Sequence, residues 1–351
     1  MNSNKIKKQA VLDDATLNYL LIILAFIVAL IIFTAVYLTA CFITADKTPT
    51  PLPNQDIETP SDEAGDYPFR QDISVVLPPD NPSSAVIPAD SIDSEFAMLI
   101  STKGEIIASR RSNAVIYPAS MTKIMTLIVI LENLPSEAAL DEVLTINIPR
   151  GEHSGYGFEV GEKLTVRDLI YAAILQSDGV ACITLAEYIA GSEASFVNMM
   201  NDKVRELGLL EGDPENNPST NFTNCSGLHE QYHYTTVYDM AVITAYAMKN
   251  TFCADVLTSI KYTPSENFRP GEGCTFWHSF LHNRLSDGAI QPTTATIRGG
   301  KTGWTGDESG YCIASYAEGK NGESYILITA KAESWAAAVE DSITILNNYA
   351  D

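Results

Sequence analysis

The distribution of apolar and polar residues divides the chain into an apolar run near the N-terminus, a polar spacer and a long region of mixed periodicity. Residues 19–43 contain no charged side chain and form a run that is long enough to cross a bilayer as a helix. Lysines at positions 5, 7 and 8 precede this run, and acidic residues follow it. Because Lys and Arg collect on the cytoplasmic side of membrane helices, we predict a cytoplasmic segment over 1–18, a single transmembrane anchor over 19–43 and an extracytoplasmic remainder.

A second kind of anchor is suggested by residues 38–41, Leu-Thr-Ala-Cys, which resemble the lipobox of bacterial lipoproteins. A lipid on Cys41 would replace the helix as the anchor. The apolar run continues past Cys41 through Phe42 and Ile43, which favours an uncleaved helix. Both interpretations place the protein at the cell membrane with its folded part outside.

Residues 44–94 have the composition of an extended stalk. Nine of the 17 prolines lie between Pro49 and Pro88, and acidic residues outnumber basic ones in this segment. A proline-rich, self-repelling segment cannot bury a hydrophobic core. We therefore predict that order begins near Phe96 and that the folded domain covers residues 95–351.

Periodicity beyond residue 95 predicts both strands and helices. Thr165 followed by Asp168 has the spacing of a capping box for a helix over 166–176. The other predicted elements are a strand hairpin over 96–108, helices over 120–133, 180–190, 193–207, 237–249 and 335–349, and a second hairpin from 311–317 and 324–331. Strand pairs at both ends with helices between them predict an α+β domain whose antiparallel sheet is assembled from distant segments.

Charge and cysteine content narrow the classes of partner. The formal net charge of −22, from 22 basic and 44 acidic residues, argues against nucleic acid and anionic lipid headgroups. The six cysteines include no CxxC pair and suggest neither a disulfide framework nor a zinc ribbon. A His-Glu-x-x-His pattern spans 229–233, but this pattern binds zinc only on a helix, and Gly227 and Tyr234 favour a loop. His278 and His282, a further pair four residues apart, are expected to pack among aromatic neighbours.

Three short motifs carry hydroxyl and amine groups that suit acyl transfer. Ser120 and Lys123 stand three residues apart on one predicted helix, where a buried lysine of lowered pKa can take the proton of the serine hydroxyl. Ser177-Asp178-Gly179 follows the 166–176 helix, and Lys301-Thr302-Gly303 lies in a glycine-rich segment before an apolar strand. Each motif alone has little specificity, but their order is that of penicillin-binding proteins and class A β-lactamases.

Longer segments extend this likeness to one family. Residues 117–126, which contain Ser120, closely resemble the nucleophile segment of serine-type D-alanyl-D-alanine carboxypeptidases, the low-molecular-mass penicillin-binding proteins. Residues 161–169 and 227–241 are also similar to that family. The resemblance implies a penicillin-recognising serine hydrolase fold, in which helices cover both sides of an antiparallel sheet. It also implies an enzyme that removes the terminal D-alanine of peptidoglycan stem peptides and is acylated by β-lactam antibiotics.

The resemblance further implies a role for each residue of the site. Ser120 attacks the carbonyl between the last two D-alanines with Lys123 as its base, and Ser177 relays a proton towards the leaving amine. The backbone N–H groups of Ser120 and Trp304 bind the oxyanion. The expected substrate-binding residues are Lys301, which offers positive charge to the terminal carboxylate, and its neighbours Thr302, Gly303, Trp304 and Thr305. No metal or cofactor is implied.

Gly179 departs from the family pattern, which usually has Ser-x-Asn as its second motif. The amide that would bond the substrate's peptide carbonyl is absent, so we expect a slow enzyme that the substitution Gly179→Asn would accelerate. Two alternatives stay open. One is a class A-like β-lactamase, although no obvious glutamate between Ser177 and Lys301 is available to activate water. The other is a catalytically weak, wall-binding penicillin-binding protein.

Overall fold

The computed structural model describes Phe69 and residues 84–350, except for residues 152, 210–219, 267 and 270. Its strands are β1 (Ala85–Val86), β2 (Phe96–Ser101), β3 (Ile106–Arg110), β4 (Val143–Thr145), β5 (Lys163–Thr165), β6 (Lys261–Tyr262), β7 (Phe276–Trp277), β8 (Ala295–Gly303), β9 (Tyr311–Gly319) and β10 (Ser324–Ala332). Its α-helices are α1 (Lys123–Glu132), α2 (Val166–Leu175), α3 (Gly179–Ala190), α4 (Glu193–Glu206), α5 (Val237–Lys249), α6 (Thr251–Thr258) and α7 (Trp335–Tyr349). Short 3-10 helices cover Ala119–Thr122 and Glu137–Asp141.

The main sheet has six strands in the order β1-β3-β2-β10-β9-β8. Neighbouring strands are antiparallel except for β1 and β3, which are parallel. At the centre of the sheet, β2 pairs with β10 and Leu99 lies opposite Leu327. Strands from the two ends of the domain therefore meet, which confirms the predicted assembly of the sheet from distant segments.

Helices cover both faces of this sheet because its central strands alternate apolar side chains between the two sides. Met98 and Ile100 of β2 point into the larger core, which also contains the apolar side chains of α1 and α5. Ala97 and Leu99 point into a second core on the opposite face, where they meet Ile345 of α7. This two-sided packing leaves the edge strand β8 free to border the functional site.

The fold begins before residue 95, the boundary predicted from the sequence. Strand β1 pairs with β3, and the side chains of Ile87 and Ile92 are buried. The ring of Phe69 lies against Phe252, with 5.7 Å between ring centroids. Part of the predicted stalk therefore packs against the domain. Its short apolar stretches find partners there that no local pattern in the sequence reveals.

The predicted helices agree with the structure to within a few residues, with one exception at the start of α1, and one further helix was not predicted. The capping box of α2 is present, since Thr165 Oγ1 accepts a hydrogen bond from the Asp168 N–H at 3.0 Å. The helix predicted over 120–133 begins as a 3-10 turn and becomes α1 only at Lys123. Helix α6 is absent from the prediction, although Asn250 caps it through hydrogen bonds from the backbone N–H groups of the first turn.

The predicted cytoplasmic segment, the anchor over 19–43 and Cys41 lie outside the described residues. Among the residues that the structure does describe, no single helix is both long and apolar enough to cross a membrane. Helices α3 and α4 meet the length and composition criteria only as a pair, and this pair is bent by 84°.

Candidate active site

Ser120 and Lys123 lie in direct contact where the 3-10 turn Ala119–Thr122 leads into α1. Lys123 Nζ is 2.9 Å from Ser120 Oγ and donates a second hydrogen bond to the carbonyl oxygen of Ser226 at 2.5 Å. The lysine side chain is buried, and this desolvation lowers the pKa of Lys123. A lysine with a lowered pKa is more readily neutral, and a neutral amine can take the proton of the serine hydroxyl.

A second serine and lysine pair lies beside the first. Ser177 occupies the turn between α2 and α3, with a positive φ of 57°. Lys301 of β8 places its Nζ 3.0 Å from Ser177 Oγ and 2.8 Å from the carbonyl oxygen of Thr302. Burial, and then the nearby charge of Lys123, lower the pKa of Lys301 well below its ordinary value. The fold thus brings the three sequence motifs together at one place.

The end of β8 lies directly against the turn that carries Ser120. A Cβ at Gly303 would lie 2.7 Å from the carbonyl oxygen of Pro118 and 3.0 Å from the backbone nitrogen of Ser120. Only glycine allows this approach without displacement of the backbone. Trp304 follows at the rim, half exposed and stacked on Tyr311 with 5.9 Å between ring centroids.

A cavity of about 620 Å³ opens above these motifs. Of the residues predicted from the sequence, Ser120, Lys123, Gly179, Trp304 and Thr305 line it. Lys301 and Thr302 are buried in β8 and do not line it, and Ser177 reaches the site through its contact with Lys301. Thr305 Oγ1 is buried at the cavity and has no hydrogen-bond partner in the described part of the chain. Thr305 thus contributes to the wall of the cavity, while its hydroxyl oxygen is buried without a partner.

Asp178 and Gly179, the other residues of the second motif, are held by backbone contacts. Asp178 caps α3, since its Oδ1 accepts a hydrogen bond from the Ala181 N–H at 2.8 Å. Burial raises the pKa of this carboxyl group, although backbone N–H donors oppose the rise. A Cβ at Gly179 would lie 3.0 Å from Nδ1 of His153, so position 179 is not an open space. The sequence-based expectation for Gly179→Asn did not include this neighbour.

The segment 229–233 is a loop, as predicted, and not a zinc-binding helix. His233 is buried, with Nε2 2.8 Å from Thr122 Oγ1 and Nδ1 accepting the backbone N–H of Thr223 at 3.1 Å. Burial lowers the pKa of His233 to about 3. His278 is also buried, which confirms its predicted packing. Within the described ranges, no three His, Cys, Asp or Glu side chains come together as metal ligands.

Comparison with known proteins identifies the family. The model of the peptidase S11 family, D-alanyl-D-alanine carboxypeptidase, matches residues 83–334. The chain belongs to this family. The D-alanyl-D-alanine carboxypeptidase DacF of Bacillus subtilis is 31% identical to it over 227 residues, which make up 62% of this chain and 52% of DacF.

Two solved structures resemble this S11 family member in fold. Penicillin binding protein 5 from Haemophilus influenzae superimposes with a TM-score of 0.62 at 24% identity, over 74% of this chain and 71% of that chain. The D-alanyl-D-alanine carboxypeptidase of Mycobacterium tuberculosis gives a TM-score of 0.60 at 22% identity, over 76% and 93% of the two chains. The predicted family and the predicted penicillin-recognising α+β fold are therefore confirmed. In sequence, the chain spans about half the length of the relatives it matches, with 52% of DacF and 40% of Escherichia coli DacC covered.

Three groups at the cavity of this S11 family member were not singled out from the sequence. They are the carbonyl oxygen of Ser226, the ring of His153 and the exposed carboxylate of Glu230. Ser226 directly precedes the segment that resembles the family, so an extension of that comparison would have found it. Glu230 belongs to the discounted His-Glu-x-x-His pattern and supplies a glutamate between Ser177 and Lys301 that was not expected at the site. No local pattern marks His153.

Proposed function

We propose that the protein is a serine D-Ala-D-Ala carboxypeptidase that removes the terminal D-alanine of peptidoglycan stem peptides through an acyl-enzyme at Ser120. The observation that carries the proposal is the pair of serine–lysine contacts beside one cavity, Ser120 with Lys123 and Ser177 with Lys301. Membership of the peptidase S11 family supports the same substrate class.

The first half of the reaction forms the acyl-enzyme. Neutral Lys123 takes the proton of Ser120 as Oγ attacks the carbonyl carbon of the penultimate D-alanine. The negative charge on the carbonyl oxygen is stabilised by the backbone N–H groups of Ser120 and Trp304. As the C–N bond breaks, the proton taken by Lys123 passes through Ser177, which lies in contact with Lys301, to the leaving amine, and Lys123 is neutral again. D-Alanine then departs with its carboxylate.

The second half returns the enzyme to its starting state. Water attacks the ester carbonyl and loses a proton to Lys123. As the ester bond breaks, Lys123 returns a proton to Ser120 Oγ. The terminal carboxylate of the substrate binds near Lys301, Thr302 and Thr305. An anion beside Lys301 favours the charged form of that lysine and offsets part of the effect of burial. The position of Thr305 in the wall of the cavity supports this placement.

We further propose that residues 19–43 anchor the protein in the cell membrane and hold the catalytic domain outside the cytoplasm. The length of the apolar run and the lysines that precede it support this topology. The peptidoglycan substrate lies on that side of the membrane, so the proposed activity and the proposed topology are consistent.

A β-lactamase is the second candidate, and Glu230 is the observation in its favour. Its carboxylate lines the cavity that contains Ser120, with Oε1 accepting a hydrogen bond from Asn224 Nδ2 at 2.9 Å. A glutamate at the acyl-enzyme can activate the water that hydrolyses a penicilloyl ester. A non-enzymatic wall-binding protein is the third candidate, because Gly179 lacks the usual amide.

One experiment separates these candidates. Full-length protein in detergent is incubated with diacetyl-Lys-D-Ala-D-Ala, and free D-alanine is measured beside the turnover of penicillin. A carboxypeptidase releases D-alanine and holds penicillin as a lasting covalent adduct, and Ser120→Ala abolishes both. Rapid penicillin turnover without D-alanine release would favour the β-lactamase, and neither reaction would favour the wall-binding protein.

A further inference from the structure

The place of a side chain at position 179 is taken by the imidazole of His153. Gly179 is the first residue of α3, and an ideal Cβ there would lie 3.0 Å from both Cβ and Nδ1 of His153. Contacts of 3.0 Å are tighter than nine in ten real Cβ contacts, so the ring would have to move aside by a few tenths of an ångström. The ring therefore comes from a loop distant in sequence and fills the volume next to Ser177 that a longer residue 179 would fill.

The loop that carries His153 is attached to the second motif at three points. The backbone N–H of Gly179 donates to the carbonyl oxygen of Ser154 at 3.0 Å, and Ser154 Oγ donates to the carbonyl oxygen of Ser177 at 3.3 Å. Asp178 Oδ2 accepts the backbone N–H of Tyr156 at 2.8 Å. The loop backbone beside His153 is thus fixed before any ligand arrives, and a side chain on a fixed backbone binds at a lower cost in conformational freedom.

Gly155 is the residue that lets this loop approach Asp178. It has a φ of +132°, and a Cβ there would lie 2.2 Å from Asp178 Oδ2. No other residue type fits at this position without a shift of the backbone. The chain therefore has a glycine in the loop and a glycine at position 179, and both bring the imidazole close to the second motif.

The ring has hydrogen-bonding capacity that the protein does not use. Nδ1 of His153 is buried against Gly179 and has no hydrogen-bond partner within the described residues. His153 lines the cavity together with Ser120 and Lys123. With Nδ1 against Gly179, the ring nitrogen that remains for a ligand in the cavity is Nε2. A neutral imidazole with its proton on Nε2 is a donor to a carbonyl oxygen.

We propose that His153 donates a hydrogen bond to the peptide carbonyl of the stem peptide one residue before the scissile bond. The contact is the one that the family resemblance assigns to the absent asparagine. The inference rests on the proposed carboxypeptidase function and adds a substrate-contacting residue to it. In this arrangement the glycine at position 179 makes room for His153. The substitution Gly179→Asn alone is therefore expected to slow the enzyme.

Two penicillins test this contact in the full-length protein. Benzylpenicillin carries an acylamino carbonyl that corresponds to the contacted peptide carbonyl, and aminopenicillanic acid lacks it. The variant His153→Ala should lose about tenfold in the acylation rate constant with benzylpenicillin, the scale of one hydrogen bond to a desolvated group. Its rate with aminopenicillanic acid should stay within about twofold of wild type, since no contact is lost there. Equal losses with both compounds, or no loss with either, would overturn the proposal.

A double variant provides the second arm. Gly179→Asn should acylate more slowly than wild type with benzylpenicillin, because the ring occupies the place of the amide. Gly179→Asn combined with His153→Ala should recover most of the loss of His153→Ala, because the asparagine then has room to donate. If Gly179→Asn alone acylates faster than wild type, or if the double variant is as slow as His153→Ala, then His153 does not make the contact in place of an asparagine at position 179. Unchanged thermal unfolding of each variant shows that the fold is intact.

These outcomes are distinct from a failure of the proposed function. If wild-type protein neither binds penicillin at Ser120 nor releases D-alanine, the function itself is wrong. If wild type reacts and His153→Ala reacts equally well with both penicillins, the function stands and only the role of His153 is wrong.

Discussion

Nζ of Lys123 lies 2.9 Å from Oγ of Ser120, and the lysine is almost completely buried. The same nitrogen contacts the carbonyl oxygen of Ser226, so the amine is held on two sides. A buried amine with a lowered pKa can alternate between its charged and neutral forms. A lysine that acts as a base needs this exchange of a proton, whereas a lysine that only supplies charge does not.

The substitution Lys123→Arg tests that distinction. Arginine keeps the positive charge but does not lose its proton in a protein, so it cannot act as the base. We expect the rate of acylation by penicillin to fall about 10²–10⁴-fold, the usual contribution of a general base. The rate is measured by stopped-flow or by fluorescent-penicillin labelling over time.

A matched lysine provides the control. Lys103 is exposed and forms a surface ion pair with Glu323. Lys103→Arg should acylate at the wild-type rate. Wild-type acylation in Lys123→Arg would show that proton transfer does not pass through this residue.

Gly303→Ala tests the close approach of β8 to the nucleophile turn. The added methyl group would lie 2.7 Å from the carbonyl oxygen of Pro118, which is backbone and cannot rotate away. We expect the turn with Ser120 to shift and the rate of acylation to fall at least about tenfold, which corresponds to an activation barrier raised by roughly 1.4 kcal/mol. The measurement is the acylation rate constant, with thermal unfolding recorded in parallel.

Gly322→Ala in the β9–β10 turn is the comparison variant. A Cβ there meets no atom within 4 Å, although its φ of +85° strains an alanine. This variant should lose stability and keep its acylation rate. If Gly303→Ala also kept its rate, the contact between β8 and the turn would have no importance for the chemistry.

His278 predicts how stability depends on pH. Its Nδ1 accepts the backbone N–H of Phe280 at 3.1 Å, and its Nε2 lies 3.2 Å from the carbonyl oxygen of Leu257. These partners suit the neutral ring, and burial followed by the charge of Lys301 lowers the pKa of His278 to about 3. Between about pH 3 and pH 6.5 the unfolded chain therefore binds a proton that the folded chain does not, and stability is lost as the pH falls.

Urea unfolding between pH 4.5 and pH 7 measures this effect. The free energy of unfolding should fall by up to about 1.4 kcal/mol per pH unit for each such group below pH 6.5. His278→Asn removes one titrating group and should show a slope that is smaller by about this amount. His233, with its pKa also lowered to about 3, contributes a second slope that this variant retains. Identical slopes in wild type and variant would contradict the assignment.

The proposed topology makes a prediction for intact cells. Protease added outside spheroplasts should release a soluble, penicillin-labelled fragment cut within the proline-rich segment before Phe69, since Phe69 packs against the domain. Protection of the protein until the cells are lysed would mean that the orientation is reversed. If mass spectrometry finds a diacylated N-terminus at Cys41, the anchor is a lipid and not the helix.

Elements with a local cause could be predicted from the sequence. Helix α7 covers the predicted range 335–349, and Thr165 with Asp168 forms the predicted capping box of α2. Strand β1 and helix α6 escaped prediction because they are short, and their apolar residues gain partners only in the folded domain. Glu230, the glutamate at the site, was not predicted because it lies in the His-Glu-x-x-His pattern, which is typical of zinc sites.

By itself, the sequence determined which groups are available for chemistry: two serines, two lysines and a glycine-rich strand, in an order typical of one family. Only the tertiary structure decided what stands next to Gly179. Motifs depend on neighbours along the chain, whereas the imidazole of His153 reaches position 179 through a loop held by Asp178 and Gly179 themselves. Contacts of this kind arise from packing between distant segments, and no spacing of residues in the sequence encodes them.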